Sequence, residues 1–140
     1  MHAADSAESP HKGRRGLVRL FNALLYSISG LRLAFRHESA FRQEIALAAV
    51  LIPSALALPV PPIEQVLLIT SVLLVLVVEL LNSSVEAAVD RIGLDTHRLS
   101  KRAKDLGSAA VLVTLAALAT VWGVLAGPVV WRLLIGLLAA

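Results

Sequence analysis

The sequence predicts an all-α membrane protein with three transmembrane helices and an N-terminal amphipathic interfacial helix. Of its 140 residues, 57% are hydrophobic and 16% charged. The mean hydropathy is +0.78, too apolar for a soluble domain of this length. Three apolar runs are separated by a proline-rich segment and by a charged one, and each is close to the roughly 20 residues that one crossing consumes. The 13 Lys and Arg residues are grouped: seven lie between Lys12 and Arg42, five between Arg91 and Lys104, and none between Pro53 and Asp90. Basic loops stay cytoplasmic, so the N-terminus and the Arg91–Lys104 segment are expected inside. The Pro59–Pro62 connection and the C-terminus are then expected on the opposite side.

Residues 1–15 are rich in Ala, Ser, Gly and charge and read as a disordered tail whose Lys12, Arg14 and Arg15 flank anionic headgroups. From 16 to 36 the apolar positions Leu17, Leu20, Phe21, Leu24, Leu25, Ile28, Leu31 and Phe35 recur at helical spacing. Arg19, Asn22, Tyr26, Ser29 and Arg36 oppose them, the pattern of a helix lying in the interface. A first crossing is expected at about 42–59, kinked at Pro53 and closed by Pro59, Pro61 and Pro62. The second runs from about 63 to 90, and Gly93 is a candidate left-handed cap. Leu94–Lys104 reads as a short charged loop, and a third crossing follows at about 103–126, ended by Gly127-Pro128. The apolar segment 128–140 is too short to cross and is expected as an interfacial tail or a bent extension of the third helix. There are no cysteines, which excludes disulfides and thiolate chemistry. No cleaved signal peptide is expected, because Arg19 and Arg32 interrupt the first apolar stretch. So short a chain hardly encloses a large site alone, so an oligomer with sites between subunits is expected, without a nucleic-acid partner.

Chemistry is concentrated where the second span ends. Glu79, Asn82, Glu86 and Asp90 are offset by zero, three, seven and eleven residues, which at about 100° per residue confines them to a stripe of roughly 80°. An ionisable group inside a membrane helix costs at least about 2.5 kcal/mol by insertion scales, so the stripe is a functional candidate. Glu79, the deepest, is either a base able to take up a proton or a protonated carboxyl making an interhelical hydrogen bond. Asn82 either positions that carboxyl or joins helices. Glu86 and Glu38, if they meet, form a hard oxygen site for Mg²⁺; the alternative is a salt bridge from either to an arginine. Asp95-Thr96-His97 and the cations up to Lys104-Asp105 suit a polyphosphate and a base or ribose, although topology alone also calls for those cations. There is no phosphate-binding G-x-x-x-x-G-K-[ST] loop, no protein-kinase signature, no H-E-x-x-H and no recognisable Ser/His/Asp grouping.

Three strings resemble the signature blocks of the small prokaryotic diacylglycerol kinases: Glu38-Ser-Ala-Phe-Arg-Gln-Glu44, Val78-Glu-Leu-Leu-Asn-Ser-Ser-Val-Glu-Ala-Ala-Val-Asp-Arg-Ile-Gly93, and Arg102-Ala-Lys-Asp-Leu-Gly-Ser-Ala-Ala-Val111. The resemblance covers about 16–127. It implies a bacterial inner-membrane homotrimer that transfers the γ-phosphoryl of MgATP to the hydroxyl of diacylglycerol, giving phosphatidic acid. It implies Glu79 as general base, Glu38 and Glu86 as metal ligands, and Asn82 and Ser108 lining the reacting centre. Arg19, Tyr26, Asp95, Thr96, His97, Lys104 and Asp105 would bind nucleotide. Arg19, Arg32, Glu44 and Ser108 would face the lipid, with Glu44 and Asp90 supporting the polar stripe. The chain departs from the usual pattern at His37 and Ser29, where Asn and Lys are common, and in its longer apolar tail. Two other classes fit parts of the pattern: a polyprenol kinase of the same fold, and a non-enzymatic ion-conducting or structural membrane subunit.

Overall fold

A computed structural model describes residues 16–93 and 97–139, which form five α-helices and, among the described residues, no strand. The expectations for residues 1–15, and the nucleotide-binding roles given to Asp95 and Thr96, lie outside the described residues. The helices are α1 (Gly16–His37), α2 (Ser39–Ala57), α3 (Pro62–Ile92), α4 (Arg98–Leu125) and α5 (Gly127–Leu138). Of these, α2, α3 and α4 are long and apolar enough to cross a membrane.

The helix ends follow from local chemistry. Glu38 is extended (φ −100°, ψ 116°) and breaks α1 from α2. The Arg42 guanidinium then reaches back, with Nη1 donating to the carbonyls of Phe35 (3.2 Å) and Arg36 (3.3 Å). A cation on the last carbonyls of α1 satisfies acceptors the helix cannot and opposes the negative end of its dipole. At the other end of α2, Pro59 forces Leu58 into extended geometry (φ −69°, ψ 134°), so the helix stops at Ala57. α3 starts on Pro61 and Pro62, where a missing N–H costs nothing. Helix α2 runs through Pro53 without a break.

Two expectations need correction. Gly93 does not adopt left-handed geometry: it is extended (φ 174°, ψ 145°), and its N–H closes on the Val89 carbonyl at 3.4 Å. The segment 94–104 is not all loop, because α4 already begins at Arg98. The imidazole of His97 accepts from the Leu99 N–H at Nδ1 (3.2 Å) and caps the helix, bringing Lys104 and Asp105 onto helical positions.

α3 makes its most extensive contact with α4 and the next with α2. Near the middle, Ala48, Val72, Val75 and Leu118 form one buried cluster. Toward the Pro59 end, Ala55, Leu68 and Ala126 form another. Alanines at Ala48, Ala55 and Ala126 let backbones approach where lipid supplies no hydrophobic drive between helices. Trp122 adds a specific tie, its indole N–H donating to the Leu68 carbonyl across to α3 at 3.3 Å. Most large apolar side chains point outward, including Leu73, Leu74, Leu112 and Val113. α1 buries only Ala34 and leans on α2 with its other described side chains exposed, Asn22 excepted.

Candidate active site

Three helices converge on one cavity of about 360 Å³, lined by Glu38, Ser39 and Ala40 from the start of α2, Glu79, Asn82 and Glu86 from α3, and Ser108 and Val111 from α4. Each wall has a local cause. Glu38 faces inward because it occupies the N-cap position of α2 without using its carboxylate as a cap. The Arg42 clamp holds the elbow that carries it. The helical spacing of Glu79, Asn82 and Glu86 puts all three on the face of α3 that meets α2 and α4.

Depth sorts the carboxylates. Glu79 is 4% exposed and Glu44 is 8% exposed, whereas Glu86 and Glu38 are half-buried. At a rise of about 1.5 Å per residue, Glu79 lies roughly 26 Å along α3 from its start at Pro62, close to the far edge of a ~30 Å hydrocarbon layer. The Asn82 amide donates from Nδ2 to Glu86 Oε1 at 3.1 Å, which fixes the amide and turns its carbonyl the other way. That Oδ1 is buried and has no hydrogen-bond partner, as has Glu44 Oε2. A buried acceptor without a donor is costly, and Asn82 Oδ1 bears that cost because it is packed against Gly107 of α4.

Among the described residues, no three His, Cys, Asp or Glu side chains gather into a metal cage. Neither Glu38 nor Glu86 pairs with a described cation, so the salt-bridge alternative finds no support there. The donor set is the pair of carboxylates of Glu38 and Glu86, both hard. This fits Mg²⁺, which binds through one or two protein carboxylates and takes its other ligands from water and phosphate.

Not every expected residue reaches this cavity. Lys104 Nζ holds Asp90 Oδ1 at 2.6 Å, an α4-to-α3 pair at the exposed end of the stripe, and Asp105 is paired along its own helix with Lys101 at 2.8 Å. His97 spends its Nδ1 on the helix cap. Arg19, Tyr26 and Arg32 are exposed on α1 and do not line the cavity. Glu44 does not line it either; it is buried deeper in α2.

A second, larger groove of about 620 Å³ runs between α1 and α3 and shares Glu38 with the first. Ser27, Gly30 and Ala34 open it on the α1 side, while Leu80, Ser83, Ser84 and Ala87 form the α3 side. Its lining is mainly apolar, with the buried, unpartnered Ser83 Oγ as one exception.

Sequence reasoning assigned no role to Gly107. A Cβ placed there would collide with Asn82 Oδ1 and sit 3.2 Å from Asn82 Cγ. The missing side chain of α4 is therefore the space that the Asn82 amide occupies. A glycine inside an otherwise helical run was the available signal, since it weakens a helix and usually has a packing or functional reason.

The sequence profile of the family described as prokaryotic diacylglycerol kinase matches residues 25–126. A protein of Pseudomonas aeruginosa named diacylglycerol kinase is 53% identical over 114 residues, covering 81% of this chain and 93% of that protein. Its namesake in Haemophilus influenzae is 53% identical over 108 residues, 77% of this chain and 92% of that one. The protein of that name from Escherichia coli K12 is 49% identical over 110 residues, 79% and 90% respectively.

Proposed function

The chain belongs to the prokaryotic diacylglycerol kinase family, enzymes that phosphorylate a lipid, and from that premise we propose that the cavity between α2, α3 and α4 is where the γ-phosphoryl group of ATP passes to the hydroxyl of diacylglycerol. The observation that carries this reading is the meeting of Glu38, Glu79, Asn82, Glu86 and Ser108, contributed by three helices, around one opening.

Phosphoryl transfer asks for a positioned nucleophile, neutralised phosphate charge and a group to receive the nucleophile's proton. The buried Glu79 carboxylate takes the proton of the lipid hydroxyl as that oxygen bonds to the γ-phosphorus and the bond to the bridging oxygen of ADP breaks. The products are phosphatidic acid and ADP. Glu38 and Glu86 would hold Mg²⁺, which when bound would neutralise charge on the phosphates. Asn82 keeps Glu86 oriented through Nδ2, and Ser108 lines the same cavity. Lys104, anchored by Asp90, contributes positive charge for the nucleotide, assisted by Asp105 and by the 95–97 segment. The α1–α3 groove admits the lipid, whose acyl chains suit its apolar lining and whose glycerol end arrives at Glu38. Arg19, Tyr26 and Arg32 on α1 serve the approach of headgroup and nucleotide, with α1 lying in the interface and the site facing the cytoplasm of a bacterial inner membrane. Helices α2 to α4 leave apolar faces for neighbouring copies, and a homotrimer with shared sites is the assembly this reading expects.

Purified protein in detergent, given ATP labelled at the γ-phosphate, is expected to label diacylglycerol. Labelling of a polyprenol in preference would move the chain to the other acceptor class, and labelling of neither would remove the kinase reading. In the same assay Glu79→Gln should fold and assemble normally and lower kcat by about 10²–10⁴, the range a positioned general base supplies.

A further inference from the structure

α5 lies outside the segment shared with the family, whose match ends at residue 126. Ala126 keeps right-handed helical geometry (φ −85°, ψ −36°), and its carbonyl accepts from the N–H groups of Val129 (3.1 Å) and Val130 (2.9 Å). The chain therefore passes from α4 to α5 without a loop. α5 stays at the end of the bundle near Pro59. Val129, Arg132 and Leu133 face Pro59 across a cavity of about 280 Å³. The catalytic cavity is at the other end: Ala126 packs on Leu68, and Glu86 lies roughly 27 Å further along α3 at about 1.5 Å per residue.

At 100° per residue, Pro128, Arg132 and Gly136 fall on one narrow stripe, and apolar side chains occupy the remainder. Those pointing away from the protein are strongly exposed: Trp131 is 65% exposed, Leu137 76% and Leu138 88%. Water does not suit this face, which needs an apolar cover. Twelve residues rise about 18 Å, well short of the ~30 Å hydrocarbon layer, so α5 does not cross. Its outer face measures about 18 by 10 Å, roughly 200 Å², against about 800 Å² per partner for a stable protein interface. A second copy is therefore a poor occupant on area alone. Trp131 is an interfacial residue type, and Arg132 is the single charged residue after Asp105, complementary to anionic phosphates.

We propose that α5 is a membrane-surface helix that seats its apolar face among acyl chains and Arg132 at phospholipid phosphates, at the end of the bundle remote from catalysis. This goes beyond the kinase reading and does not depend on which alcohol is phosphorylated.

The protein has two tryptophans, Trp122 and Trp131, so the difference between wild type and Trp131→Phe isolates the emission of Trp131. Both are reconstituted in phosphatidylcholine vesicles, with or without phosphatidylglycerol, containing lipid brominated either near the headgroup or near the chain end. Trp131 emission is expected to be quenched at least about twofold more by the shallow bromine, as interfacial indoles are. Phosphatidylglycerol should strengthen that shallow quenching in wild type and not in Arg132→Gln. Kinase activity of Trp131→Phe should equal wild type, which verifies its fold. Absence of quenching at either depth would mean that protein covers Trp131, and stronger quenching by the deep bromine would mean burial in the core. Either result overturns the proposal, as does an equal response of Arg132→Gln to the anionic lipid.

Discussion

Replacing Gly107 by alanine tests the innermost packing of the site. The added Cβ enters the volume of the Asn82 carboxamide, meeting Oδ1 and lying 3.2 Å from Cγ, so the amide must turn or α4 must retreat. Turning the amide breaks the 3.1 Å hydrogen bond from Nδ2 to Glu86. A hydrogen bond to a charged group is worth about 1.5–3 kcal/mol, and about 1.4 kcal/mol is tenfold in rate, so kcat/KM should fall about 10- to 150-fold. Stability should move little, because exchanging glycine for alanine inside a helix gains up to about 1 kcal/mol, which offsets the displacement. The assay is phosphate transfer to diacylglycerol beside thermal unfolding in the same detergent. Asn82→Ala supplies the control: if Gly107 acts by positioning Asn82, the double variant is no slower than Asn82→Ala alone. Wild-type turnover in Gly107→Ala, or multiplicative losses in the double variant, would refute the reasoning.

Glu86→Ala should raise the Mg²⁺ concentration for half-maximal activity by about tenfold or more, as loss of one of two carboxylate ligands requires, read from Mg²⁺ titration at saturating ATP. Lys104→Met should raise KM for ATP about tenfold, the scale of one charge-assisted contact to phosphate, and Asp90→Asn should give a smaller increase by releasing the same side chain. Ala87→Phe, which narrows the α1–α3 groove, should raise KM for diacylglycerol about tenfold while leaving KM for ATP unchanged, since an overfilled pocket loses about 1–3 kcal/mol.

Much of the architecture was legible because bilayer physics writes it coarsely. Pro59, Pro61 and Pro62 mark the turn between α2 and α3 without any tertiary information, and hydropathy alone identifies the three long helices. The stripe from Glu79 to Asp90 was legible because it lies on a single helix, whose periodicity is known in advance. Contacts between helices were less so. That Glu38 meets Glu86 depends on the elbow that Arg42 clamps, a hydrogen bond over seven residues to the end of another helix. That Gly107 abuts Asn82 depends on the axial register of α4 against α3, which packing decides residue by residue. His97 shows a third kind of feature: its imidazole accepts the Leu99 N–H through Nδ1 at the start of α4, a capping role that neither hydropathy nor periodicity announces.

α3 runs without a joint from Pro62 to Ile92, which at about 1.5 Å per residue is a rod of roughly 46 Å set in an oil film of ~30 Å. Its foot is pinned by three prolines, so the waterline on the rod is determined by how thick the film is. Long-chain lipids would submerge Asn82 and Glu86, and short-chain ones would lift Glu79 toward water. On the proposed site, film thickness is expected to tune turnover, with chain length acting as solvent depth as well as cargo shape.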